Sequence, residues 1–380
     1  MMRILGCIYI LFVGALLSDQ CQAQPSTRDK LIVESLLRLD DVMVTGNEKL
    51  ESAVKRYLNA VKGTPKYFEV IEKLKYQGSA TDLLAIAMKT PLDSDSVKAA
   101  ELLLEFDSEE LLIANLHDSD TAIVNATIQA LSRTTHAKTF EILKPLVTDI
   151  KLSRQVRSAA ISGVGKNLRG QQYLLKLLET KQIPKELQFA TGNALFASPD
   201  KSVREQATMF IKLPETAGKT PLPPVPVLAA KSGNESIGKT LFSNKATCAK
   251  CHKVKGQGKE VGPDLSEIGS KLSAQALYVS ILDPSAGISH NYESYILVTA
   301  EGTVLTGIKV SDSATQITIK TAEAVERTFA KEDLEEVIKQ PTSLMPEDLQ
   351  KNLSAKDLVD LVEYLKTLKK APVGVPSARP

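Results

Sequence analysis

Tryptophan is absent from this chain, aromatic residues make up only 5% of it, and four cysteines are spread over 380 residues. Large sheets lean on aromatic and β-branched side chains. Their scarcity beside abundant Leu, Ala, Lys and Glu points to a mostly helical chain. Neither sign of charge is in surplus, since 47 basic side chains stand against 45 acidic ones for a formal net charge of +2. The strong positive field that nonspecific nucleic-acid binding requires is missing, which argues against nucleic acid as a partner. A hydrophobic content of 43% with 24% charged residues is that of a globular chain, and the length suits about two domains.

No apolar run reaches the roughly 18 residues of a confident membrane span. The longest candidate, Ile4 to Leu17, follows Arg3 and precedes Cys21-Gln22-Ala23, with small residues at the positions a signal peptidase reads. Residues 1–23 are therefore expected to be a secretory signal peptide, and the mature chain to be exported to the periplasm with no span after cleavage. An uncleaved anchor and lipid attachment at Cys21 are the alternatives; the large polar pair Asp19-Gln20 disfavours the second. Cys7 and Cys21 leave with the signal peptide, so the mature chain keeps one close pair, Cys248 and Cys251. A single pair does not make a disulfide framework, and chemistry is the better use for it.

Residues 24–212 read as successive short amphipathic helices broken by Gly, Pro, Asp and Ser. A related pattern begins at Val97, Val124, Val156 and Leu187, at spacings of 27, 32 and 31 residues. Such periods predict an α-solenoid of HEAT-like helix pairs, with an unrepetitive helical bundle as the alternative. Residues 213–233 contain Pro214, Pro221, Pro223, Pro224 and Pro226 and read as a semi-rigid linker. A second domain is expected over 234–370, and residues 371–380 as a disordered tail. Within that domain, helices over Ile237–Phe242, Ser273–Leu282 and Ala355–Leu368 flank a small antiparallel sheet. Its strands are expected at Tyr295–Val298, Val304–Ile308 and Ile317–Ile319, with turns at Glu301-Gly302 and Ser311-Asp312-Ser313.

Cys248-Ala249-Lys250-Cys251-His252 has the spacing of a haem c attachment site: two thiols that reach both vinyl groups, then an imidazole placed to ligate iron. A zinc site would need a fourth ligand, and His117, His136 and His290 stand at no finger spacing from His252. A thioredoxin-type dithiol would need a strand-to-helix context that is not evident here. One covalent haem c is the expected cofactor. A second axial ligand is then sought among the mature methionines. Met43, Met88 and Met209 lie in the helical repeats and are expected to fill the core, whereas Met345 stands in the loop Ser343-Leu344-Met345-Pro346 of the same domain as the motif. His252 and Met345 are the expected iron ligands, with His290, in a polar stretch, as the rival to Met345.

Gly238, Phe242, the haem motif, Gly256-Gln257-Gly258, Gly262-Pro263-Asp264-Leu265, Ile268-Gly269, Ser280 to Ser285, Tyr292, the Met345 loop and Asp357-Leu358 with Tyr364-Leu365 carry a resemblance. Together they resemble the c-type haem-binding domain that follows HEAT-like repeats in exported proteins of planctomycete and Verrucomicrobia type. The resemblance covers about residues 234–370 in motif detail. It implies a class I-like cytochrome c domain with the small sheet inserted. It further implies that the Pro263 carbonyl accepts from the ring of His252, that Leu265 and Ile268 pack on the haem, and that the helix at Gly238 crosses the terminal helix near Tyr364. Two departures stand out: no sugar-dehydrogenase-like propeller precedes the repeats, and Glu347-Asp348 follow Met345-Pro346 where a glycine is common.

The expected function is thus electron carriage by an exported monohaem cytochrome, not catalysis, with the repeats docking a redox partner such as a periplasmic dehydrogenase or a terminal acceptor. A haem enzyme or enzyme subunit, with an open iron position, and a repeat scaffold with an accessory haem are the alternatives. Six lysines and no acidic residue fall between Lys239 and Lys259, although residues 234–370 hold 17 basic and 19 acidic side chains. This cluster is expected either to steer an acidic partner to the haem edge or to be a solvated face.

Overall fold

The computed structural model describes residues 25–39, 42–89 and 93–370; the signal peptide expected at 1–23 and the tail expected at 371–380 lie outside them. The structure is mainly helical with one small antiparallel sheet. The chain divides into two compact units between Leu83 and Leu84.

The first unit contains α1 (Thr27–Leu36), α2 (Glu48–Val61) and α3 (Pro65–Lys73), and α4 (Ala80–Ala87) lies at the division. Ser26 and Asn47 cap α1 and α2 by accepting from backbone N–H groups in the first turn, and Pro65 supplies the fixed φ that suits a helix start. Val33, Val54, Tyr57, Tyr67, Val70 and Ile71 form its buried face.

The second unit continues through successive helices: α5 (Ser94–Glu105), α6 (Glu109–Leu116), α7 (Thr121–Leu131), α8 (Lys138–Thr148), α9 (Arg154–Val164), α10 (Leu168–Glu179), α11 (Gln188–Phe196) and α12 (Lys201–Ala207). The residues that interrupt the apolar periodicity are the caps: Asp93, Asp120, Ser153, Asn167 and Asp200 each accept from the first turn of the helix that follows. Val97, Val124 and Val156 fall in α5, α7 and α9, and these helices pack successively, α5 on α7, α7 on α9 and α9 on α11. Small residues permit the approach. A β-carbon on Gly165 of the α9–α10 turn would stand 2.5 Å from that of Ala194 in α11.

The methionine expectation fails for two residues. Met43 and Met209 are 83% and 69% exposed. Met43 precedes α2 and Met209 follows α12, so neither is carried on the buried face of a helix. Met88 is half-buried, with its sulfur accepting from Thr127 Oγ1 at 3.3 Å.

Residues 213–233, expected as a semi-rigid linker, pack in part against the core that follows. Thr216 N–H donates to the Thr220 carbonyl at 2.9 Å, closing a small loop, and Ala217 N–H reaches the Leu353 carbonyl at 3.0 Å. The prolines set up a short helix, α13 (Val225–Ala229), which Pro224 precedes, and Leu222, Val225 and Leu228 are buried in the core that follows. Proline density ruled out a long helix here, but apolar residues between the prolines still had surface to bury.

That core is built by α14 (Glu235–Ser243), α15 (Ile268–Lys271), α16 (Ala274–Leu282) and α17 (Ala355–Thr367). Ser354 and Asp357 form a reciprocal capping box that starts α17, and Leu358, Leu361, Val362 and Leu365 are buried along it. α14 crosses α17 with Gly238 against Asp360 and Tyr364, and the Phe242 and Tyr364 rings meet edge to face at 5.8 Å. Between α16 and α17 the sheet is inserted: β1 (Ser294–Thr299), β2 (Val304–Asp312), β3 (Gln316–Lys320), β4 (Glu326–Ala330) and β5 (Leu334–Lys339), in spatial order β4-β3-β2-β1-β5. The expected turn at Ser311-Asp312-Ser313 lies later. A register shift between Lys309 and Ser311 extends β2, so that Asp312 still pairs with Ile317.

Candidate haem-binding site

The attachment motif forms a single 3-10 turn, Cys248–Lys250, entered through Thr247 at φ +57°. His252 N–H donates to the Cys248 carbonyl at 2.8 Å and Cys251 N–H to the same carbonyl at 3.0 Å, which winds both sulfurs and the imidazole toward one cavity. The following loop folds back over the turn. Val261 and Gly262 N–H groups donate to the Cys251 carbonyl at 2.9 and 2.8 Å. The cysteines are not disulfide-bonded. Burial pushes the Cys248 thiol up to about 12 and raises that of Cys251 as well.

His252 Nδ1 lies 2.8 Å from the Pro263 carbonyl oxygen. A carbonyl can only accept, so Nδ1 carries the proton and the lone pair is left on Nε2. Burial lowers the imidazole pKa against the opposing pull of that hydrogen bond, which favours the neutral, ligating form. Gly262 makes room for the ring. A β-carbon there would stand 2.5 Å from Cε1 and 2.8 Å from Nδ1 of His252.

The cavity has a volume of about 400 Å³ and is walled by Cys248, Cys251, His252, Pro263, Leu265, Ile268 and Met345, all seven site residues expected from the sequence. Leu265, Ile268 and Met345 are half-buried and pack against the helical core. Met345 N–H donates to Ser343 Oγ at 3.1 Å, and Ser343 N–H donates to Ser285 Oγ at 3.1 Å. His290 is exposed and is not part of the cavity wall. Among the described residues no group of three or more His, Cys, Asp and Glu side chains could hold a metal ion, so Cys248, Cys251 and His252 are not completed into a zinc site. A wall this apolar, with two sulfurs, one neutral imidazole and one thioether, suits a covalently held haem.

Residues 236–314 match the cytochrome c family model. No curated protein matches the chain. The cytochrome c span contains the attachment motif, Pro263, Leu265 and Ile268, and it ends in the turn between β2 and β3, ahead of Met345. It supports haem binding and an electron-carrier role for this part of the chain. Among the described residues no helix is long and apolar enough to cross a membrane.

Sequence reasoning missed part of the wall and its support. Ile308 of β2 and Ala322 of the β3–β4 turn also line the cavity. Within the Ser280–Ser285 motif, Ser285 Oγ donates to Glu347 Oε1 at 2.8 Å, and Asp283 is 3% exposed beside Arg154, partners that the motif alone does not give. The buried proline-serine run after α16 was the available signal, because a polar residue that folds inward needs a partner.

The lysine cluster is less free than its sequence suggests. Lys245 pairs with Asp357 at 2.7 Å, Lys253 pairs with Glu260 at 2.6 Å, and Lys259 Nζ lies 3.3 Å from the Glu323 carbonyl oxygen. Lys239, Lys250 and Lys255 are exposed, and Lys250 lies at the cavity rim.

Proposed function

We propose that the chain is an exported monohaem c-type cytochrome, an electron carrier rather than an enzyme, whose HEAT-like helical repeats dock a redox partner such as a periplasmic dehydrogenase or a terminal acceptor. Cys248 and Cys251 would hold the haem through thioethers, His252 Nε2 and Met345 sulfur would ligate its iron, and Leu265 and Ile268 would pack on it. Pro263 fixes the tautomer and orientation of His252 and raises its basicity. The bound haem supplies a one-electron iron couple, and a thioether ligand favours a raised potential. The remaining work belongs to the protein: the apolar wall keeps water from the site, and the packing of Met345 keeps exogenous ligands out.

The observation that supports this most strongly is the meeting of the attachment turn, the Nδ1-protonated His252 and the Met345 loop around one apolar cavity. Successive packing of α5, α7, α9 and α11 at near-regular sequence spacing supports the HEAT-like reading. The test is extraction in acidified organic solvent, with intact-mass measurement. One haem per chain should stay with the protein, and haem that partitions into solvent would refute covalent attachment.

A further inference from the structure

The loop that carries Met345 is tied to the helical repeats by an unbroken run of polar contacts. Arg154 is the first residue of α9. Its guanidinium bonds Asp283 through Nη2, and its Nη1 lies 3.7 Å from Glu347 Oε1. Glu347 Oε1 accepts from Ser285 Oγ, Ser285 Oγ accepts from Ser343 N–H, and Ser343 Oγ accepts from Met345 N–H, at 2.8, 3.1 and 3.1 Å. Ser285 spends its single proton on Glu347 and a lone pair on Ser343, so each hydroxyl role is satisfied in one direction. The repeats thus reach the backbone of Met345 through four side chains, Arg154, Glu347, Ser285 and Ser343.

We propose that Arg154 is a positioning residue for Met345: the helical repeats hold the axial-ligand loop closed over the cavity. This rests on the reading of Met345 as the ligand. Asp283 is 3% exposed, and Glu347 also faces the guanidinium. Without the cation the buried Asp283 carboxylate loses its partner and faces Glu347, whose side chain is 56% exposed, and an unpaired buried charge next to a like charge is costly. Asp283 is fixed at the end of α16 and cannot retreat, whereas Glu347 stands on the Met345 loop and can. The strain is relieved by moving the loop, and with it the thioether. An ordinary contact between packed helices would stabilise the fold without acting on the iron coordination.

The experiment uses the full-length haem-loaded protein in wild-type form and as Arg154→Gln, Arg154→Lys, Met345→Ala and Arg157→Gln. Arg157 lies on the same helix and donates to the Val147 carbonyl at 3.1 Å within the repeats, so its loss perturbs α9 without touching the network. Three readouts are taken: the weak long-wavelength sulfur-to-iron absorption of the oxidised form, the affinity of that form for imidazole, and the midpoint potential. Met345→Ala should abolish the absorption. Arg154→Gln should weaken it, lower the potential and tighten imidazole binding about tenfold, the scale of one lost charge-assisted hydrogen bond. Arg154→Lys, which keeps the charge without the fork, should fall between. Arg157→Gln should match wild type.

Imidazole affinity unchanged in Arg154→Gln, with Met345→Ala behaving as stated, would overturn the inference and leave the ligand reading intact. Absorption retained in Met345→Ala would instead overturn the ligand reading. An equal response in Arg157→Gln would reduce Arg154 to general stability and also overturn the inference. Should Arg154→Gln not fold, Arg154→Lys carries the test: it should still tighten imidazole binding, by a smaller factor, and adding Asp283→Asn to Arg154→Gln, which removes the carboxylate confrontation, should return the affinity toward wild type; wild-type affinity in Arg154→Lys counts against the inference in the same way.

Discussion

Gly238 and Asp360 meet at the crossing of α14 and α17 with no space for a side chain between them. A β-carbon on Gly238 would overlap the Asp360 carbonyl oxygen and lie 2.8 Å from Tyr364 Cβ. Backbone cannot yield as a flexible side chain can. Gly238→Ala should therefore destabilise the cytochrome core by about 3 kcal/mol, the upper end of overpacking costs. Chemical denaturation of the purified variant checks this, and a midpoint equal to wild type would show that the helices can separate freely.

The ligand assignment separates two residues of the same region. Met345→Ala should lower the potential and open the oxidised iron to exogenous imidazole, whereas His290→Ala should leave spectrum and potential as in wild type. His290 is exposed and does not line the cavity, although Ser289 beside it does. A reversal of these outcomes, read by absorption and potentiometric titration, would mean bis-histidine coordination.

Gly262 offers a test on the placement of His252. With a β-carbon 2.5 Å from His252 Cε1, Gly262→Ala must push the imidazole or open the loop, and either breaks the Nδ1 bond to Pro263. The expected result is a lower yield of haem-loaded protein and a mixed-spin spectrum in what remains. A normal yield and an unaltered spectrum would show that the Gly262 contact does not set the ring position.

Charge near the cavity can be probed with small redox complexes of opposite sign. Lys239, Lys250 and Lys255 are exposed, while Lys245, Lys253 and Lys259 have partners within the protein. Changing the first three together to Gln should slow oxidation by hexacyanoferrate(III) at low salt by about tenfold and leave oxidation by a cationic ruthenium ammine complex unslowed. Changing the second three should have the smaller effect on these rates. Stopped-flow measurements across ionic strength decide the matter, and a salt-independent rate for the anionic oxidant would remove any steering role.

The first unit carries its own acid sensitivity. Hydrogen bonds from Arg56, and then from Ser26, hold the Asp29 carboxyl down at about 2, below its ordinary value of 3.8. A depressed carboxyl contributes stability above its unfolded pKa and loses it as pH falls through the folded one, so the loss is confined to the interval from about 3.8 down to about 2. Pepsin digestion at fixed pH within that interval, comparing wild type with Arg56→Met, is the check. The variant should be cleaved within α1 at the higher pH values of the interval, where wild type still resists.

Much of this was legible because the informative residues act locally. The attachment motif is contiguous, the caps Asp93, Asp120 and Ser153 sit where the apolar periodicity breaks, and α17 declares itself by four apolar residues on one face. β4 and β5 escaped notice for a physical reason. Both are edge strands with few buried side chains, and Val337 and Ile338 of β5 are 45% and 41% exposed, so there is no inward and outward alternation to read. The burial of Leu222, Val225 and Leu228 was likewise hidden, since proline content reports backbone freedom and not where the apolar residues between the prolines go. Arg154 and Asp283 lie 129 residues apart in sequence, and their pairing could come only from the tertiary structure.

The inserted sheet returns to the place where it departs. β1 and β5 are neighbours, Tyr295 standing opposite Lys339, and Ser294 Oγ donates at 2.6 Å to the Thr342 carbonyl, 48 residues further along the chain. A detour of this length would ordinarily leave the Met345 loop to find the cavity by diffusion, at a closure cost of about 3 kcal/mol. Here most of the excursion is zipped from hairpins between consecutive strands, β1 to β4, and β5 then closes back on β1. The strands act as a clasp that returns Thr342 to the side of Ser294, so the Met345 loop reaches the cavity wall with its search already largely complete.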